Sequence, residues 1–184
     1  LIEAWHDVAA AAREAGLGTS VIIATSFGCP FEGEMPERRV LDVVARCLDA
    51  GPDEIALADT IGVGVPDQVR RLVAGTRELA PDVRLRAHFH NTRNTGYANA
   101  LAAVESGVAV LDASTGGIGG CPFAPNATGN IATEDLLYLL HRSGYETGVD
   151  PAVVAGTGTW ITSVLGKPEA PALLGRAGWF PPVG

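Results

Sequence analysis

The stretch VRLRAHFHNTRNTGYANALAAVESG (83–107) contains a strand pattern followed closely by a helix pattern. In VRLRAHFH (83–90), polar and apolar residues alternate, which is the period of two that a β-strand shows. NTGYANALAAVESG (94–107) continues as an alanine-rich helical segment. One βα unit is therefore predicted here.

Three further βα units are predicted around this one. Their strand and helix segments are 19–27 with 36–51, 53–59 with 66–80, and 108–114 with 133–144. A helix at 1–16 precedes them, and a terminal helix near 151–165 follows. Thr133 is predicted to cap the helix that it begins. Strict βα alternation predicts a parallel sheet, either an open doubly wound sheet or part of a (β/α)8 barrel. No GxGxxG follows the first strand, which disfavours the dinucleotide-binding fold.

Composition limits the possible functions. The chain has 184 residues, a net charge of −8 and 47% hydrophobic residues. It contains no apolar run long enough for a membrane span and no basic stripe for nucleic acid, so we expect a soluble globular protein without either partner. Three cysteines without a paired spacing indicate a reducing compartment, and we expect the cytoplasm. We expect residues 1–166 to belong to one domain and 167–184 to form a Pro/Gly-rich terminal tail packed on its surface.

Polar side chains lie at the predicted carboxyl ends of all four strands. In a barrel, these ends converge on one mouth, where the chemistry occurs. His88 and His90 share one face of the third strand, about 7 Å apart at roughly 3.3 Å of rise per residue, and could bind one metal ion. A hydrogen-bonded polar pair at a strand end is an equally good interpretation of this spacing. The full set is Cys29, Asp59, His88, His90 and Ser114.

The glycine-rich loop GGIGGCPFAPNATGN (116–130) contains the third cysteine, Cys121. Glycines lie just before it, so the backbone there can approach a substrate closely and move with it. This position favours a proton carrier, the alternative being an incidental cysteine in a tight turn. Asn130 offers an amide oxygen near the mouth, either to cap the next helix or to complete a metal site.

Five segments in this order resemble the 3-hydroxy-3-methylglutaryl-CoA lyase family and its close acyl-CoA lyase relatives, which are DRE-TIM metallolyases. The resemblance runs from about Ser20 to about Gly148, and its segments are SFGCPFEGEMP, LADTIGVGVP, HFHNT, GGIGGCPFAPNATGN and ATEDLLYLL. It implies a parallel (β/α)8 TIM barrel to which this chain supplies about the C-terminal four βα units plus terminal helices. It also implies a Mg²⁺ or Mn²⁺ ion and retro-Claisen cleavage of a 3-hydroxyacyl-CoA to acetyl-CoA and a ketoacid. With 3-hydroxy-3-methylglutaryl-CoA the ketoacid is acetoacetate, as in leucine degradation.

The resemblance also assigns roles by position. The implied metal ligands are His88, His90 and Asn130. The implied catalytic residues are Cys121, as the acid/base on a mobile loop, with His88 and Asp59. Substrate-binding candidates are Arg93, whose guanidinium suits a carboxylate or CoA phosphate, and Cys29, Gly119 and Gly120. The implied partners are an acyl-CoA thioester and further copies of the chain in a homo-oligomer.

Two departures from the family pattern concern the metal site and the substrate. Asn91 stands where the family often has an aspartate after His-x-His, which indicates a subgroup with a different acyl group. No Arg-Asp pair occurs in the sequence, so the family's Arg-Asp-Gly motif, with its metal-binding carboxylate, is absent. We therefore expect a missing N-terminal half of roughly 120 residues, at about 30 per βα unit.

Other functions stay open at this point. Four parallel strands alone would leave two unpaired edges, so we expect the isolated chain to be inactive and associated, or part of a longer polypeptide. A half-barrel that binds metal or a partner without catalysis is one alternative. A DRE-TIM aldolase or condensing enzyme acting on another ketoacid is the second, although such relatives generally lack the loop cysteine.

Overall fold

The computed structural model describes residues 1–120, 129–166 and 177–180. Its elements alternate between strands and helices as the sequence predicts. In chain order they are α1 Ile2–Glu14, β1 Ser20–Ile23, β2 Gly28–Cys29, β3 Gly33–Glu34, α2 Glu37–Leu48, β4 Glu54–Asp59, α3 Pro66–Leu79, β5 Arg84–Phe89, α4 Gly96–Glu105, β6 Val110–Asp112, a 3-10 helix Thr115–Gly117, α5 Thr133–Arg142 and α6 Pro151–Val164.

The main sheet contains four parallel strands in the order β1-β4-β5-β6. Each neighbouring pair consists of consecutive βα units, with α2, α3 and α4 as the crossovers. The predicted parallel sheet is therefore confirmed. Within the described residues, β1 and β6 are its two edges.

The apolar face of the sheet packs against the crossover helices. Leu85, Ala87 and Phe89 of β5 are at most 2% exposed, and they belong to one hydrophobic cluster with the buried faces of α2, α3 and α4. The cluster forms because strand residues two apart and helix residues three or four apart each share a face. The other face of the sheet carries the polar residues of β5 and directs them away from the helices.

Three local features differ from the sequence prediction. The first strand ends at Ile23, because Thr25 takes a left-handed conformation (φ 55°) and its N–H bonds to the Thr60 hydroxyl. A small antiparallel hairpin, β2 with β3, then follows within the segment SFGCPFEGEMP. The predicted cap at Thr133 is wrong: Ala132 is the cap residue, and the Tyr97 hydroxyl accepts its N–H.

Only 177–180 of the predicted tail are described. Trp179 packs edge-on against Tyr138 of α5, with ring centroids 5.1 Å apart, as expected for a packed terminus. The rest of the tail lies outside the described residues. Across the described part of the chain, every helix falls short of the length and apolar character that a membrane span needs.

We expect Phe89→Ala to lower the free energy of unfolding by about 3–5 kcal/mol, because Phe89 is fully buried and its ring packs 6.1 Å from that of Phe27. Phe31, which is 79% exposed, is the matched control, and Phe31→Ala should change stability by less than about 0.5 kcal/mol. Urea denaturation measures both. Equal losses in the two variants would show that the sheet face is not the core.

Candidate functional site

His88 and His90 lie together at the carboxyl end of β5. His88 is on the polar face of the sheet with a half-buried side chain, and His90 follows the strand and is 5% exposed. Their rings meet edge to face, with centroids 5.1 Å apart. The pleat of the strand puts residues two apart on one face, so the predicted pairing of the two imidazoles is what the structure contains.

Asn130 is brought to this pair by an antiparallel bridge between its backbone and that of His90. Its side-chain Nδ2 donates to the carbonyl of Ile118 at 3.0 Å, whereas Oδ1 is buried and, among the described residues, has no hydrogen-bond partner. A buried carbonyl oxygen without a donor is uncommon in folded proteins and fits a cation ligand. Of the two roles left open for Asn130, capping α5 is not the one it takes.

Burial favours the neutral form of the His88 imidazole. The loss of solvent lowers the pKa of His88, the nearby His90 lowers it further, and the carboxylate of Asp112 opposes the shift. A neutral imidazole has a lone pair to offer, which is the form that binds a metal ion. The two imidazoles and the amide oxygen therefore fit a divalent cation chemically.

The three residues do not complete a metal site by themselves. Within the described ranges, no group of three or more His, Cys, Asp and Glu side chains is arranged to hold a metal ion. Mg²⁺ and Mn²⁺ favour oxygen ligands and commonly six of them, so two imidazoles and one amide leave positions for a carboxylate and for substrate oxygens.

Asp59 ends β4 next to this site and is fully buried. Its two carboxylate oxygens accept the N–H groups of Val63 and Gly64, at 2.9 and 3.0 Å. Burial raises the pKa of Asp59, and these two hydrogen bonds and the nearby His90 oppose the rise. The carboxylate thus holds the loop after β4 in place. The catalytic role that the sequence predicts for Asp59 stays a prediction.

Arg93 and Asn91 follow His90 in the loop before α4. The guanidinium of Arg93 donates to the carbonyls of Ile61 and Gly62, at 3.2 and 3.1 Å, and its side chain is exposed. Asn91 Oδ1 accepts the N–H of Gly96, the first residue of α4, at 3.1 Å. The Asn91 that marks a departure from the family pattern therefore has a structural task at the helix start.

The remaining predicted substrate-binding residues lie in two loops. Cys29 is half-buried in the β2–β3 hairpin, and this hairpin lies against the loop after β4, where a Cβ at Gly28 would come within 2.7 Å of Val63. Gly119 and Gly120 are exposed, and a Cβ at Gly119 would come within 2.9 Å of the Asn130 Nδ2. Cys121 lies outside the described residues.

Sequence reasoning missed Glu134, which braces the base of the glycine-rich loop. Glu134 is 1% exposed, and its carboxylate oxygens accept the N–H of Gly116 at 2.8 and 3.0 Å. Gly158 of α6 packs so closely on this carboxylate that a Cβ would overlap it. An acid in the first turn of a helix is usually explained by its favourable interaction with the helix dipole. The sequence therefore contained no sign that Glu134 is buried against the loop.

Comparisons with known proteins show which family the sequence matches. Residues 1–160 match the model of a family described as HMGL-like. The chain is 48% identical over 166 residues to (R)-citramalyl-CoA lyase of Chloroflexus aurantiacus, covering 90% of this chain and 52% of that protein. It is 43% identical over 164 residues to hydroxymethylglutaryl-CoA lyase of Pseudomonas mevalonii, covering 89% of this chain and 54% of the relative.

A solved structure shows the same fold. The HMG-CoA lyase of Acinetobacter baumannii, in complex with coenzyme A and 3-methylmalate, superimposes with a TM-score of 0.90 at 39% identity and covers 98% of this chain. This chain spans 58% of that protein and about half the length of the curated relatives. Such lyases are TIM barrels, so the four parallel strands correspond to about half of a barrel.

We expect Gly129→Ala to destabilise the protein by more than about 2 kcal/mol. A Cβ at Gly129 would overlap the backbone oxygens of Gly117 and Gly119, and neither can move away as a flexible side chain could. Gly156 in α6 is the matched control, since nothing lies within 4 Å of its Cβ position, and Gly156→Ala should stabilise by about 0.5–1 kcal/mol. Thermal unfolding distinguishes them, and a tolerated Gly129→Ala would contradict the packing of this loop.

Glu134 should make stability fall as pH rises. Burial raises its pKa in the folded state above the ordinary value of 4.5, so the native state binds its proton to higher pH than the unfolded chain. The advantage of wild type over Glu134→Gln should therefore be largest below pH 4.5 and decrease as pH rises through the folded-state pKa. Urea denaturation of both proteins from pH 4 upwards measures this difference. A difference that is constant with pH, or grows, would contradict the prediction.

Proposed function

The chain belongs to the HMGL-like family, and on this premise we propose that it carries the C-terminal half of a divalent-metal-dependent carbon–carbon lyase. Its substrate is a 3-hydroxyacyl-CoA thioester that also carries a carboxylate, such as 3-hydroxy-3-methylglutaryl-CoA. The products are acetyl-CoA and a ketoacid, which is acetoacetate for that substrate.

One observation supports the proposal most directly. Asn130 is bridged to His90, beside the edge-to-face pair of His88 and His90, and its buried Oδ1 has no hydrogen-bond partner in the described part of the chain. A purely structural polar pair would satisfy its own acceptors. Two imidazoles and an amide oxygen near the carboxyl end of a parallel strand can supply part of the ligand set of a metal ion in a barrel mouth.

The reaction needs a proton removed from the substrate hydroxyl and a proton delivered to the leaving carbon. When the hydroxyl proton leaves, its electrons form the ketone, the carbon–carbon bond breaks, and the thioester departs as an enolate. A bound divalent ion supplies positive charge that lowers the pKa of this hydroxyl. Cys121 is proposed to exchange a proton with the reacting carbon or oxygen, supported by His88 and Asp59 at the mouth.

The names of two relatives support the proposed class of substrate. One is named for citramalyl-CoA and another for hydroxymethylglutaryl-CoA. Both substrates are 3-hydroxy thioesters with a carboxylate, and both release acetyl-CoA on cleavage. We propose that Arg93, exposed beside the loop after β4, binds the carboxylate or a CoA phosphate, and that Cys29, Gly119 and Gly120 contact the substrate.

The rest of the barrel is proposed to supply what these residues lack. The chain spans about half the length of its relatives, and within the described residues no group of three or more His, Cys, Asp and Glu side chains is arranged to hold a metal ion. We propose that residues outside this chain provide an aspartate ligand and a substrate-binding arginine. Residues 1–166 as one part of a single barrel domain, the homo-oligomer and the cytoplasmic location stay predictions.

The proposal is tested with the full-length gene product and Mg²⁺ or Mn²⁺. We expect acetyl-CoA release from hydroxymethylglutaryl-CoA or citramalyl-CoA, and Mn²⁺ binding visible by electron paramagnetic resonance. His88→Ala and His90→Ala should lose most Mn²⁺ affinity and turnover, because each removes a ligand. Cys121→Ser should bind Mn²⁺ normally and lose about 10²–10⁴ in rate.

His6→Ala is the control for the loss of a histidine, since His6 lies on α1 and contacts the carbonyl of Arg46. It should leave both properties unchanged. Unchanged Mn²⁺ binding in both His88→Ala and His90→Ala would refute the metal site. Mn²⁺ binding without turnover of any thioester would favour a non-catalytic binding module, and turnover of a free ketoacid instead would favour an aldolase or condensing enzyme.

A further inference from the structure

A charged cluster lies behind His88 on the polar face of the sheet. Arg86 lies two residues before His88 on β5. Its guanidinium lies between two acids, one from each neighbouring strand. Its Nε is 3.1 Å from Oε1 of Glu54 on β4, and its Nη1 is 3.4 Å from Oδ1 of Asp112 on β6. The hydroxyl of Ser20 on β1 accepts from Arg86 Nη2 at 3.1 Å and donates to Glu54 at 2.8 Å.

The two oxygens of Asp112 face different partners. Oδ1 lies toward Arg86, whereas Oδ2 lies 3.7 Å from Nδ1 of His88. His88 and Asp112 are paired in the register of β5 and β6, so their side chains leave the same face of the sheet side by side. The 3.7 Å separation is slightly longer than a hydrogen bond, and a small rotation of either side chain closes it, as often happens when a site fills.

We propose that Asp112 is a positioning residue for His88, an inference that rests on the metal site of the proposed function. By accepting a hydrogen bond from the N–H at Nδ1, the carboxylate selects the tautomer in which Nε2 has the lone pair. That nitrogen is then available to a divalent cation at the mouth. Carboxylate partners of this kind fix the tautomer and ring orientation of metal-binding histidines in general.

Arg86 fixes which oxygen of Asp112 faces His88. Because the guanidinium has only donors, it holds one oxygen of Asp112 and leaves the other for His88. Glu54 and Ser20 occupy the opposite side of Arg86 and keep it in place. In Asp112→Asn, the same guanidinium would attract the amide oxygen and turn the NH₂ group toward His88. The amide would then donate to Nδ1, which places the proton on Nε2.

The test reads the tautomer directly, by long-range ¹⁵N–¹H NMR correlation of the histidine rings in the full-length, metal-free protein. The expected result is a protonated Nδ1 at His88 in wild type and in Asp112→Glu, and a protonated Nε2 in Asp112→Asn. Mn²⁺ titration of the same proteins should show a loss of affinity of about 10- to 100-fold in Asp112→Asn only.

Glu54→Gln is the matched control, since it removes the second carboxylate that lies against Arg86. The described contacts of Glu54 are to Arg86, Arg84 and Ser20 rather than to a histidine. It should keep the wild-type tautomer and lie within about threefold of wild-type Mn²⁺ affinity. If Asp112 only neutralises Arg86, the two variants will behave alike, which overturns the inference. A protonated Nε2 in wild type overturns it without any variant, even if Asp112→Asn fails to fold. If wild type binds no Mn²⁺, the proposed function fails, while the tautomer result still decides the role of Asp112.

Discussion

The parallel pairing of β5 with both β4 and β6 is the constraint on which the rest of the structure depends. This pairing fixes which residues of β5 face the helices and which face the opposite side. A shift of register by one residue would exchange the two sets and bury the histidines in the core. The same hydrogen bonds that complete the sheet therefore position the metal-binding candidates.

Buried polar groups hold the loops at the carboxyl end of the sheet. Asp59 binds the backbone after β4, and Glu134 binds the backbone of the glycine-rich segment at Gly116. Each carboxylate loses its contact with water, which raises its pKa. Hydrogen bonds from backbone N–H donors offset part of this cost of desolvation. The loops are thereby fixed at their bases, while among the described residues the buried Oδ1 of Asn130 has no hydrogen-bond partner.

Charged side chains line the polar face of the sheet. Glu54 and Asp112 lie against Arg86 from the two neighbouring strands, so one guanidinium offsets part of the charge of two carboxylates within one layer. Within the described residues, β1 and β6 are the edges of the sheet. The chain belongs to the HMGL-like family and covers about half of each relative.

The sequence by itself determined the βα alternation, the parallel sheet, the family and the face that His88 and His90 share, because these follow from local periodicity and from short motifs. It did not determine the end of β1 at Ile23, the cap at Ala132 or the burial of Glu134, since these depend on contacts between residues far apart in the chain. Only the tertiary structure showed that a backbone bridge joins Asn130 to His90 and that the buried Oδ1 of Asn130 has no hydrogen-bond partner among the described residues. A side chain's partners are set by which strands and loops become neighbours, and that information is absent from the spacing of residues along one strand.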